Sequence, residues 1–227
     1  MKAAEGFTYN QSDHNHYTLA TNHVNGISPQ ILTEIYRENI MLAVFERTLA
    51  SEISHYCEQL TKEKPNLNLR SAIKVAYAKQ ALQSTLPNLA GQSEFIEDLS
   101  ILIEMYACLF DLTEVGLRMQ ILDRAMCPRF HTDNIGCRLI TTYQGGGTEW
   151  LNNVDIDRSK LGAGNMGLPD TESGLFPNTD CIQQVNVGDV VLLKGDGWIG
   201  NEGLGAVHRS PKVPAGEKRV VVTMDFA

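Results

Sequence analysis

From residue 114 to the end of the sequence, short runs of strand formers are separated by glycine-rich breaks. No helical period lies between them. Val115 to Leu122 alternates apolar and polar residues, Arg138 to Tyr143 does so in part, and Val190 to Leu193 and Arg219 to Met224 are dense in β-branched and aliphatic side chains. Gly145–Gly147, Gly162–Gly167 and Gly195–Gly205 punctuate them. Strands in this order, with no intervening helices, predict an antiparallel sandwich or barrel.

The first half reads differently. Ser28-Pro29 places a capping hydroxyl before a residue suited to the first helical turn. Ile31, Ile35, Leu42, Phe45, Leu49, Ile53, Tyr56 and Leu60 then recur at near-helical steps, which predicts one long helix or two abutting ones over 29–60. Pro65 and two Asn residues mark a break; further helices are expected over 69–85, ended by Pro87, and over 94–111. The expected class is α+β. A polar arm (1–27) precedes a helical region (28–113), which packs on a C-terminal β domain (114–227). The arm carries His14, His16 and His23, read as solvated histidines rather than a metal site.

Composition narrows the function. A net charge of −8 and a pI near 5.2 deny the chain the basic field that nucleic acids and anionic membranes attract. No apolar run reaches the length of a membrane span. Five scattered cysteines without a C-x-x-C pair read as reduced thiols, so a cytoplasmic location is expected.

The chemistry concentrates in Cys127-Pro128-Arg129-Phe130-His131-Thr132-Asp133. On an extended segment His131 and Asp133 share a face, where an imidazole and a carboxylate can meet one metal. His208 follows 77 residues after His131, in Ala206-Val207-His208-Arg209-Ser210-Pro211. Two His and one carboxylate form the facial set that leaves positions open on Fe(II). Cys127 would share the face of His131, so a four-ligand Zn(II) site stays open as an alternative. Arg219, at the start of a strand, suits bidentate capture of a distal carboxylate. Its alternative is an ion pair with Glu217 or Asp225.

In order and spacing these blocks resemble the Fe(II)/2-oxoglutarate-dependent oxygenases of the double-stranded β-helix (jelly-roll, cupin-like) fold, especially the prolyl-hydroxylase-like branch. The resemblance covers about residues 115–226. His131-Thr132-Asp133 is similar to the first two metal ligands, and Gly145-Gly146-Gly147-Thr148-Glu149-Trp150 to the following glycine turn. Gly188 to Leu193 resembles the strand before the distal histidine. His208 to Val213 with Gly216 and Arg219 is similar to the ligand, turn and carboxylate-binding arginine. The string from Cys-Pro-Arg-Phe-His-Thr-Asp through His-Arg-Ser-Pro also resembles an uncharacterised bacterial family of unknown function.

The resemblance implies Fe(II) held by His131, Asp133 and His208, with 2-oxoglutarate gripped by Arg219. The cosubstrate is oxidised to succinate while a small molecule or protein side chain is hydroxylated. Val221 stands where the family often carries a hydroxyl, two residues after the arginine; Thr223 is the next hydroxyl on that face, and Tyr143 and Arg138 are further candidates for the cosubstrate. Arg129 is a candidate for an anionic ligand. The stretch Asn152–Asn186, rich in Gly, Asp, Asn and Pro, is placed to cover the site. The competing expectation is a zinc protein of the same fold, serving metal homeostasis or sensing, or acting as an isomerase or hydrolase.

Overall fold

A computed structural model describes residues 22–227, so His14 and His16 lie outside the described residues. The elements are β1 (His23–Gly26), β2 (Leu42–Phe45), α1 (Ser51–Glu63), β3 (Asn68–Lys74), α2 (Ala78–Thr85), α3 (Gln92–Phe110), β4 (Glu114–Leu122), β5 (Cys137–Gln144), β6 (Glu149–Leu151), β7 (Ile182–Gln184), β8 (Val190–Lys194), β9 (His208–Arg209) and β10 (Arg219–Phe226). Seven strands form a major sheet in the order β1-β2-β8-β5-β10-β4-β3. Three form a minor sheet, β7-β6-β9. Every pairing is antiparallel except β1 with β2.

The alternation of β10 builds the layers. Val220, Val222 and Met224 enter the core that α1 and α3 fill with Tyr56, Phe95, Leu99, Ile103 and Tyr106. Val221 turns the other way, into a second cluster with Ile140, Val191, Leu193 and Trp150 of the minor sheet. Helices therefore cover one face of the major sheet, and the minor sheet covers part of the other. A strand buried on both faces, such as β8, reads as an unbroken apolar run.

Strands β4, β5, β8 and β10 and helix α3 lie where the sequence predicts them. The helical first half does not. Where one long helix or two abutting ones were expected over 29–60, Pro29–Tyr36 forms a 3₁₀ helix, β2 follows, and α-helix begins only at Ser51. Leu42 and Phe45 fit a helical step, but Leu42-Ala43-Val44-Phe45 is also a buried apolar run, and pairing with β8 satisfies its backbone. The expected helix over 69–85 is strand β3 through Lys74; its exposed edge position tolerates the alternating polar residues, and only Ile73 is fully buried. Helix α2 starts at Ala78 and stops before Pro87, with Leu86 extended as a pre-proline residue prefers. Part of the supposed arm is β1, and His23 packs on Trp150 at a centroid distance of 4.7 Å.

Between β6 and β7 the chain runs through four short 3₁₀ turns and packs Leu175 and Phe176 on Phe130 and Val207. This is the segment expected to cover the site. Its inner end is seated on the residues flanking both histidines.

Candidate metal centre

His131 and His208 meet through their backbones. His131 N donates to His208 O at 3.1 Å and His208 N to His131 O at 3.0 Å, an isolated antiparallel bridge that sets the rings side by side. The ring centroids are 4.6 Å apart. Each imidazole is fixed through its other nitrogen: Nδ1 of His131 lies 2.9 Å from Arg129 O, and Nδ1 of His208 lies 3.0 Å from Ala206 O. A carbonyl only accepts, so both Nδ1 atoms carry the proton and both Nε2 atoms present a lone pair.

Those lone pairs face Asp133. Its Oδ1 is 3.7 Å from His131 Nε2, and its Oδ2 is 3.5 Å from His208 Nε2. All three ligand atoms lie within 4.8 Å of one another. Bonds of about 2.0–2.2 Å place neighbouring ligand atoms roughly 3 Å apart, so the donor set fits a divalent cation after small side-chain adjustments. His208 is buried, and that burial pushes its pKa down to about 4 against the opposing charge of Asp133. It is neutral at pH 7, the form that ligates a metal.

The loop carrying Thr132 and Asp133 is shaped by Asp196. Thr132 Oγ1 donates to Asp196 Oδ2 at 2.5 Å, Asp196 N donates to Asp133 O at 2.8 Å, and Gly205 N donates to Asp196 Oδ1 at 2.8 Å. One carboxylate thus ties the first ligand loop to the segment that leads into His208.

Beside the triad is a narrow cavity of about 40 Å³, lined by His131, His208, Arg138, Thr148, Arg219 and Thr223 among others. Arg219 is only 2% exposed. Its Nε donates to Gly146 O at 2.8 Å, and Nη2 donates to Thr142 Oγ1 at 2.9 Å and Thr148 Oγ1 at 3.1 Å. Neither Glu217 nor Asp225 pairs with it, and burial lowers its pKa to about 10. Gly147 explains the turn: a Cβ there would meet Val185 O at 1.9 Å, so only glycine lets the strand ends close around Arg219. The Oγ1 of Thr223 is buried without a hydrogen-bond partner on the same cavity.

Three expected site residues are placed elsewhere or otherwise engaged. Tyr143 is buried on the helix side of the major sheet, and its phenol donates to Asp98 at 2.7 Å. Strand alternation sends it away from the cavity that Thr142 faces. Arg138 lines the cavity, but its Nη1 holds Asp133 at 2.7 Å and its Nε and Nη2 hold Asp225 at 2.6 and 2.8 Å. It orients a ligand rather than offering a free fork. Cys127 lines the cavity too, yet it is outside the group of converging ligand atoms.

Sequence reading passed over Asp170. This buried carboxylate, from the covering segment, accepts Phe130 N at 2.9 Å, pairs with Arg129 at 3.1 Å and lies 3.4 Å from Arg209. Arg129 is therefore occupied and not available to a ligand. Arg209 also pairs with Glu149 at 2.6 Å and stacks on Phe130 at 4.2 Å. Nothing local in Leu168-Pro169-Asp170 signals that role, because its partners lie about forty residues away on either side.

Residues 26–225 match the family model described as protein of unknown function DUF1826. The chain belongs to this family. The DUF1826 match encloses every residue of the centre and its cavity, from Met126 to Thr223. No curated protein matches. Among solved structures, the chain is similar to a rice dioxygenase for auxin oxidation, with 13% identity, 90% of this chain and 82% of that one covered, and a TM-score of 0.48. A Pseudomonas putida prolyl-4-hydroxylase is similar with 10% identity, coverage of 87% and 97%, and a TM-score of 0.45. The Arabidopsis thaliana dioxygenase for auxin oxidation 1, solved with 2-oxoglutarate, gives 11% identity, coverage of 90% and 91%, and a TM-score of 0.44.

Proposed function

We propose that this DUF1826 protein is an Fe(II)-dependent oxygenase of the double-stranded β-helix type, using 2-oxoglutarate as cosubstrate. The observation that carries this reading is the convergence of His131, Asp133 and His208 beside a cavity whose wall holds a buried, carboxylate-free Arg219. A three-ligand facial set leaves positions for a chelating oxo acid and for dioxygen. Fe(II), when bound, supplies the activation of dioxygen coupled to oxidative decarboxylation of the oxo acid.

The residues of the chain divide the remaining work. His131 and His208 offer Nε2 lone pairs fixed by their Nδ1 hydrogen bonds. Arg138 keeps the Asp133 carboxylate turned toward them. Arg219, whose Nη1 has no hydrogen-bond partner among the described residues, binds the far carboxylate, with the Thr223 hydroxyl as second donor. Thr223 thereby replaces the hydroxyl absent at Val221. The covering segment, seated on Phe130 and Val207, shields one side of the centre, while the His131 side chain keeps 34% of its surface exposed on the substrate side.

No helix among the described residues is long and apolar enough to cross a membrane, and all five cysteines are unpaired. Free thiols favour the reducing cytoplasm.

The test uses anaerobic protein loaded with Fe(II). Adding 2-oxoglutarate should produce a visible charge-transfer absorption, and admitting oxygen should release succinate; His131→Ala should abolish both. Retention of zinc rather than iron on elemental analysis, with no 2-oxoglutarate binding, would replace this reading with the zinc alternative.

A further inference from the structure

Arginines in this protein are usually committed. Arg47, Arg129, Arg138 and Arg209 each pair with a carboxylate. Arg70 and Arg118 stand apart: they are direct partners in the antiparallel register of β3 and β4, and neither has an ion pair or side-chain hydrogen bond among the described residues. Like charges directly opposite one another destabilise a sheet. The Nε of Arg118 is also buried with no hydrogen-bond partner, and an unmet buried donor adds to that cost.

Their position relates this pair to the centre. Leu117 and Met119 belong to the core under the helices, so Arg118 projects from the opposite face, the one that carries the metal cavity. Across β10 its register partner is Thr223, which lines that cavity. Beside the pair, Ala72 opposes Gly116, and these small residues leave a hollow of about 420 Å³ open to solvent, whose wall also includes Asp225. The acid nearest in register, Asp225, is held by Arg138 through two hydrogen bonds.

We propose that Arg118 and Arg70 form an anion-binding subsite that takes the carboxylate or phosphate group of the primary substrate. Two guanidinium forks facing one oxyanion would convert a repulsive rung into a charge-assisted one. Arg118 lies two strand spacings from β5 and Arg70 three, so the acidic group would sit roughly 10–15 Å from the strand that carries Arg138. As the handle of an oxygenase substrate it rests on the function proposed above; as an anion site it does not.

The experiment separates the two. Metal-free protein carrying ¹⁵N-arginine is titrated with inorganic phosphate and, in a second series, with acetate, following the Nε–H resonance of Arg118, assigned by its loss in Arg118→Met. The resonance should shift and saturate with at least one anion, and the stronger of the two identifies the headgroup. Arg70→Met should weaken that binding at least tenfold and, by removing the repulsion, raise the melting temperature without anion. Arg219→Met should leave the binding unchanged. No saturable shift with either anion would overturn the proposal, as would a shift lost in Arg219→Met or unaffected by Arg70→Met. A failed 2-oxoglutarate assay alongside intact anion binding would remove only the oxygenase reading.

Discussion

Arg138 holds Asp133 from behind: its Nη1 reaches Asp133 Oδ2 at 2.7 Å while Nε and Nη2 are anchored on Asp225. Groups that orient a metal ligand commonly change metal affinity by about 10–100-fold when removed. Arg138→Met should therefore weaken Fe(II) or Co(II) binding by that order, read by competition with a chelating dye. Asp225→Asn, which leaves the contact to Asp133 in place, should weaken it less.

The pH dependence of the metal-free protein follows from His208. Its folded pKa of about 4 lies below the unfolded value of about 6.5, because burial disfavours the charged ring. The unfolded state therefore binds more protons between these values. Stability is full above pH 6.5 and falls as the pH drops toward 4, by on the order of 3 kcal/mol. Urea unfolding of chelated protein at several pH values measures this slope. His208→Gln should flatten it.

Arg219 is expected to act on the cosubstrate alone. Arg219→Met should raise the KM for 2-oxoglutarate by about 10–150-fold, the loss of a charge-assisted pair being worth about 1.5–3 kcal/mol. Metal affinity should hold, since Arg219 contacts Gly146, Thr142 and Thr148 and none of the three ligands. Arg219→Lys, which keeps the charge but not the fork, should restore only part of the affinity.

Tyr143 serves the fold. It joins Arg47 on Asp98, tying β5 to α3. Tyr143→Phe should cost about 1 kcal/mol in chemical denaturation. The KM for 2-oxoglutarate should not change; a large rise would return Tyr143 to the cosubstrate pocket.

The strands that carry the site were legible because their residue types match their surroundings at both faces. Val190–Leu193 and Val220–Val222 are buried on two sides, and that composition admits little else. His131, Asp133 and His208 were legible from their order and spacing, although Thr132 and Asp133 sit on a loop and not on the extended strand that the sequence suggested. Leu42–Phe45 and Asn68–Lys74 were not: the first fits helix and strand periods alike, and the second is an edge strand with a single fully buried side chain. Pairing partners far along the chain decide both. The same reason hid the second ends of Arg138 and Tyr143, since a residue's type does not tell which carboxylate will claim it.

The backbone bridge between His131 and His208 makes the centre a template rather than a clasp. Two hydrogen bonds set the spacing of the rings before any ion arrives, so loading does not have to gather ligands that are 77 residues apart in sequence. Chelation should accordingly strip the ion without parting the strands. The amides of His131 and His208 should stay protected from hydrogen exchange in the metal-free protein, ready to accept the next ion at little cost in chain order.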